Sequence, residues 1–176
     1  GNGTDPANAT IAPGGVATMA DAFTFQTGSG TDAITAVTVS MAPGTRAGVS
    51  LIEITNDAGT IVHGSVSDPS SDTPSIPLTT PITATTTVTQ YKIRVTPKLH
   101  VAMPVPPGAS YALTASVSSW TGTNAQAGSN GGGTTITIDN LSPGNVTGGT
   151  ATGGDQQLTL AWTNPADSDL GTILVL

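Results

Sequence analysis

The chain has 176 residues and a mass of 17.3 kDa, with 22 Gly, 13 Pro, no Cys and a net charge of −7. Charged residues make up 9% of it, against roughly 25% in an ordinary soluble domain. The absence of cysteine excludes disulfides, thiolate metal sites and cysteine nucleophiles, and four basic residues (Arg46, Lys92, Arg94, Lys98) provide no cationic surface for a phosphate backbone, which excludes nucleic acid as a partner.

Residues 1–10 are polar and read as a segment too hydrophilic to pack firmly. They lack the apolar stretch of a signal peptide and an initiator Met, so the chain reads as a mature or excised piece of a longer protein. No apolar run approaches the ~18 residues of a transmembrane helix, so direct membrane insertion is not expected.

From there onward the hydrophobic pattern has period two. Ala33 to Met41 alternates with Val37, Val39 and Met41 on one face and Ile34, Ala36, Thr38 and Ser40 on the other. Val49–Thr55 and Thr60–Val66 flank Asn56-Asp57-Ala58-Gly59, whose residue types tolerate left-handed turn geometry, so the two segments are expected to pair antiparallel. Tyr91, Ile93 and Val95 alternate with Lys92 and Arg94, and Tyr111 to Val117 alternates up to Trp120. Thr134–Ile138 is rich in β-branched residues, which are stiff at χ1 and favour a pleated surface. Pro and Gly clusters at 42–44, 68–69, 73–74, 104–108, 131–133 and 142–144 leave no room for an ordinary helix. The fold class is therefore all-β. The expected core comprises Phe23, Phe25, Val37, Val39, Leu51, Ile61, Tyr91, Ile93, Val95, Tyr111, Leu113, Val117 and Ile136.

The pattern changes at Asn140-Leu141-Ser142-Pro143-Gly144, which reads as a linker. Beyond it, Asn145 to Pro165, with Gly154-Asp155-Gln156-Gln157-Leu158-Thr159-Leu160-Ala161-Trp162 at its centre, resembles the opening of a bacterial fibronectin type III domain. The resemblance implies two strands, inward Leu158 and Leu160, a buried Trp162, and a third strand over 171–176 after a turn at Ala166 to Leu170. Such a domain needs about three times this length. Thr137 to Pro143 resembles the joint between tandem Ig-like domains of large bacterial surface proteins, and Pro107 to Thr114 is similar to a late strand entry of such modules. What this implies is a polar segment at 1–10, an Ig-like antiparallel β-sandwich over 11–141, and a linker with a partial fibronectin type III-like β domain over 142–176.

Candidate sites are sparse. Asp139, Asn140, Asp167 and Asp169 could offer oxygen ligands to calcium, but no regular calcium loop is present, and turn-capping Asx side chains are the simpler reading. Asp68, Ser70, Ser71 and Asp72 read as a solvated loop. His63 and His100 are too few for a zinc site without carboxylates, and no Gly-x-Ser-x-Gly elbow presents a nucleophile. Glu53, the only glutamate, is expected to pair at the surface with Lys92 or Arg94. Asn2, Asn8, Asn140 and Asn145 each open an Asn-x-Ser/Thr triplet; Asn2, Asn8 and Asn145 are the glycosylation candidates, since Pro143 disfavours Asn140. Ile173, Leu174, Val175 and Leu176 form an apolar end suited to strand addition.

Low Lys and Glu with abundant Thr, Ser, Gly and Asn is a frequent composition of exported prokaryotic surface proteins. The expected function is a non-catalytic structural module (stalk, adhesin, sheath or filament subunit) at the cell surface. Its partners would be other copies of itself or neighbouring domains, with no cofactor other than calcium. The alternative is a carbohydrate- or ligand-binding accessory module of an exported enzyme, for which Trp120, at a strand end, is the one aromatic that could be exposed.

Overall fold

The computed structural model describes residues 1–103, 110–166 and 171–175. The fold is all-β, as the periodicity predicts, and its strands pair almost entirely antiparallel. The chain divides into two compact units, residues 1–140 and 141–176.

In the first unit the strands are β1 (Ala9–Ile11), β2 (Thr18–Phe25), β3 (Asp32–Met41), β4 (Val49–Asn56), β5 (Val62–Ser67), β6 (Ser75–Ala84), β7 (Thr89–Pro97), β8 (Tyr111–Leu113), β9 (Ala115–Thr121) and β10 (Ile136–Ile138). Seven of them form one sheet in the order β2-β7-β4-β5-β6-β3-β9. The sheet is sandwich-like, because β5 and β6 pair only at Gly64↔Leu78, so β2-β7-β4-β5 and β6-β3-β9 behave as two halves. One core joins them: Phe23, Ile52, Ile54 and Ile93 from the first half meet Ile34, Val37, Ile76 and Ile82 from the second. A small sheet, β1-β10-β8, adds Leu113, Ile136 and Ile138 to the same core; its β1–β10 pair is parallel.

Ten of the thirteen expected core residues are buried, and the other three fail for identifiable reasons. Ile61 is 52% exposed because it belongs to the β4–β5 turn. There the Asn56 side-chain oxygen accepts from the Thr60 and Ile61 amides at 2.8 and 3.0 Å, and Gly59 takes φ +71°. Leu51 is half-buried because the register slips between Val49 and Leu51, which hands the inward position to Ile52 and Ile54. Tyr111 is half-buried at the start of the short β8. The same device acts in β3, where a slip between Ile34 and Ala36 puts Ile34 on the core side together with Val37, Val39 and Met41. One extra residue in a strand reverses the facing of everything beyond it.

The N-terminal segment is not loose, contrary to the expectation from its polarity. Gly1 exchanges backbone hydrogen bonds with Thr24 and Gly3 N donates to Ala22 O, which lines the free edge of β2, and Ala9–Ile11 becomes β1. Asn2 and Asn8 accept from the amides of Gly131 and Thr135, and Pro6 O accepts from Thr134 Oγ1 at 2.7 Å. Polar residues hold the segment by hydrogen bonds in place of apolar burial.

β2 and β9 end the seven-stranded sheet, and they form no ladder with each other. Asn130 spans them: its side-chain oxygen accepts from Val117 N at 2.6 Å, and its side-chain nitrogen donates to Ala22 O at 3.3 Å. The N-terminal segment lies along this seam.

The second unit consists of a hairpin, β11 (Thr147–Gly154) with β12 (Gln157–Thr163). Every strand residue in it is exposed. Trp162, which the fibronectin type III resemblance buries, is 40% exposed, because two strands supply no second layer to cover it. Residues 171–175 form no strand, in contrast to the expected third one; they make no ladder with either strand of the hairpin. Leu176 lies outside the described residues.

The single β5–β6 contact yields a test. A Cβ on Gly64 would stand 2.3 Å from Pro77 O and 3.0 Å from the Leu78 backbone. Gly64→Val is expected to lower stability by about 1–3 kcal/mol in urea denaturation. Gly28→Ala, at a position with nothing within 4 Å of a new Cβ, serves as the control and should stay within about 0.5 kcal/mol of the parent.

Candidate functional site

Four places hold candidate functional groups, three of them with residues that the sequence singled out. The first is the end of β10. Asp139 N donates to Ile11 O at 3.0 Å and its carboxylate accepts from Ser110 Oγ at 3.3 Å. Asn140 is fully buried, and its side-chain oxygen sits 2.6 Å from His100 Nδ1. The oxygen expected to face a cation is thus taken by an imidazole. Asp167 and Asp169 lie outside the described residues. Among the described residues, no three His, Asp or Glu side chains come together.

The loop at 68–72 is more organised than a solvated turn. Asp72 is half-buried, and its carboxylate accepts from the Gly44 and Arg46 amides at 2.7 and 3.1 Å, capping the 3-10 turn at Thr45–Gly48. Asp68 pairs with Lys98 at 3.2 Å. Glu53 pairs with Arg94 at 2.8 Å across the β4–β7 register, but as a buried side chain and not at the surface as expected, and the guanidinium also donates to Gly59 O. Lys92 turns to Asp57 at 3.1 Å. The glycosylation candidates Asn2, Asn8 and Asn145 are all exposed, although Asn2 and Asn8 use their side-chain oxygens in the seam.

The second place is a cleft of about 290 Å³ between the β2 end and the loop after β9. Phe25, Ile34 and Trp120 give it an apolar floor, and Gln26, Thr27, Ser29 and Asn124 line it with hydrogen-bonding groups. Trp120 is half-buried and packs edge-on against Phe25, with ring centroids 5.5 Å apart. Asp32 shapes the rim by accepting from Thr123 N and Thr123 Oγ1 at 2.7 and 2.6 Å. Those bonds, led by the Thr123 hydroxyl, hold its carboxyl below the usual range. The strand end marked by Trp120 was legible in the sequence; Asp32 was not, because an Asx residue opening a strand has no periodic signature.

The third place is the second unit's apolar groove, about 340 Å³, lined by Val146, Ala151, Leu160, Trp162 and residues 173–175. It joins the expected assembly residues Ile173, Leu174 and Val175 to the β12 face. The fourth is a carboxyl pair, Asp5 and Asp21, at the seam. Asp21 is fully buried with no well-formed hydrogen bond at either oxygen. Burial, then repulsion from Asp5, pushes its carboxyl up to about 7. Sequence reasoning missed it, since the period-two pattern gives no sign that an acid lies among Ala20, Ala22 and Phe23.

No known protein family, curated protein or solved structure matches the chain.

The rim of the cleft carries a pH test. Asp32 is more acidic in the folded chain than in the unfolded one, so what it contributes is present above the ordinary carboxylate range and is lost as pH falls through its lowered value. In a Trp162→Phe background, where Trp120 is the only tryptophan, the emission of Trp120 should stay constant from neutral pH to about 4 and shift red below it. Asp32→Ala should show the shifted emission at every pH.

Proposed function

We propose that the chain is a non-catalytic structural module of an extracellular surface protein, and that it joins a second copy of itself by strand addition on the hairpin of its second unit. The single observation that supports this reading is the β11–β12 hairpin. Its strands are exposed throughout, with Leu158 63%, Leu160 40% and Trp162 40% accessible. A two-stranded hairpin is marginal alone in water, and three or more strands with an apolar face make a stable sheet. Both outer edges of this hairpin are unpaired among the described residues, and an unpaired edge is a template for another strand. Neither β11 nor β12 contains a charged residue, so no like charge on the strands themselves opposes the approach of a second copy. The alternating Leu158, Leu160 and Trp162 face would provide the apolar contact and the β11 or β12 edge the backbone hydrogen bonds.

The second reading is a carbohydrate-binding accessory module, and it is favoured by the Trp120 cleft, which combines an aromatic floor with amide and hydroxyl groups.

Sedimentation analysis of the full chain is expected to show concentration-dependent self-association. Leu160→Ser with Trp162→Ser, or deletion of residues 171–176, should abolish it while the first unit keeps its unfolding transition. A chain that stays monomeric at high concentration, with a separate cooperative unfolding transition for the second unit, overturns the proposal. Glycan-array binding that disappears in Trp120→Ala would favour the second reading in its place.

A further inference from the structure

We propose that Asp5 and Asp21 share a single proton, and that this proton is the latch that holds the N-terminal segment in the seam between β2 and β9. Asp21 lies on β2 and is 0% exposed, and neither carboxyl oxygen makes a well-formed hydrogen bond; the Asn130 side chain and the Ala22 amide act on it only weakly. A buried carboxylate without partners is costly, so a native site of this kind needs a compensating group. Asp5 is beside it on the N-terminal segment, within hydrogen-bonding reach. Two ionised carboxylates only accept, so a hydrogen bond between them requires a proton on one. With the proton present, one carboxyl donates to the other and the pair carries one negative charge. Without it, two like charges face each other in a poorly hydrated seam.

The surroundings provide no substitute cation. Lys92 and Arg94, on the neighbouring β7, are held by Asp57 and Glu53. β9 and residues 128–135 contain no titratable side chain. The Asn130 side-chain oxygen is directed to Val117 N, which leaves its NH2 group on the side of Ala22 and Asp21. That orientation suits a carboxyl pair and is wrong for a metal ligand. Two further titratable groups lie on the neighbouring elements: the Tyr91 phenol of β7, which burial pushes up, and the Gly1 amine on the same segment, bonded to Thr24 O at 2.9 Å.

Asp5 is exposed and gives the proton a path to solvent. Asp5 also accepts from Ala22 N at 3.3 Å, and Gly133 leaves room for it, since a Cβ there would meet its carboxylate. Expelling Asp5 therefore unfastens the segment from β2 and uncovers the β2 edge that Gly1 and Gly3 pair with. The sign of the effect is set by burial. In the unfolded chain Asp21 loses its proton near 4, whereas in the seam it holds it to about 7. The latch is complete at acid pH, weakens as pH rises through that window, and is open above it.

Hydrogen exchange of the full chain, followed at the Gly3 and Thr24 amides and corrected for intrinsic rates, tests this. Wild-type protection should fall by about tenfold or more between pH 5 and pH 8.5. Asp21→Asn keeps the volume, donates to Asp5 and cannot titrate, so its protection should change by less than about twofold. Asp5→Asn should behave the same way, and it carries the test if the buried substitution prevents folding. The Gly1 amine is common to all three chains and cancels in the comparison. Constant protection in the wild type, or a pH dependence in both variants as large as the wild type's, overturns the latch. So does full protection restored at pH 8.5 by millimolar calcium chloride, because a cation and not a proton would then close the pair.

Discussion

The first unit depends on how a curled antiparallel sheet is closed when its two outer strands cannot pair. β2 and β9 end the sheet and meet only across a seam. Without closure, each would offer a row of amides and carbonyls to any passing strand. One asparagine and one polar segment provide the solution. Asn130 mimics a peptide unit, with its side-chain oxygen toward β9 and its side-chain nitrogen toward β2. The N-terminal segment then covers the β2 edge and continues into β1, beside β10. The low charge of the chain fits this scheme, because Thr, Asn and Gly do the work for which other domains use salt bridges. Three of the four cations are paired with acids, and the remaining one, Arg46, sits in the turn that Asp72 caps.

The two units differ in how they satisfy their backbones. In the first, even the polar ends of strands are tied down, as at Asp32 with Thr123 and Asp72 with the turn amides. In the second, every strand residue is exposed, and the apolar residues that would normally fill a core are on the surface. The unpaired edges of the second unit contrast with the closed edges of the first, and the proposed assembly role draws on that contrast.

Most strands of the first unit were legible because alternation is a direct image of the pleat. Val37, Val39, Ile93, Val95 and Ile136 are inward in the sequence pattern and inward in the structure. The errors cluster where one residue is inserted into a ladder. Between Val49 and Leu51, and between Ile34 and Ala36, a register slip changes which parity faces the core, and no residue type marks it. β6, Ser75–Ala84, has no place among the expected strands; it contains Pro77 and Pro81, which cannot donate to a ladder and blur the period-two pattern. The polar N-terminal segment was misread because hydropathy records burial of carbon and is blind to hydrogen bonds made at 127 or more residues' separation, such as Asn8 with Thr135. Among the candidate sites, the Trp120 end of β9 was visible, while the Asp5–Asp21 pair depends on the meeting of two distant segments.

Asn130 is followed by glycine, and that gives the seam a chemical lifetime. In an Asn-Gly pair the glycine nitrogen, unhindered by a Cβ, can attack the asparagine side-chain carbon, expel ammonia and form a succinimide that water opens to aspartate or its isomer. In the closed seam both reactants are held. The asparagine amide is fixed between Val117 N and Ala22 O, and Gly131 N donates to Asn2 at 2.9 Å. Opening the seam frees both. The product would replace the NH2 group that donates to Ala22 O with a third carboxylate beside Asp5 and Asp21, and the seam would no longer close as before. Ageing at this dipeptide, and at Asn2-Gly3 on the segment opposite, would therefore accumulate with time spent open, leaving a permanent chemical record of the opening.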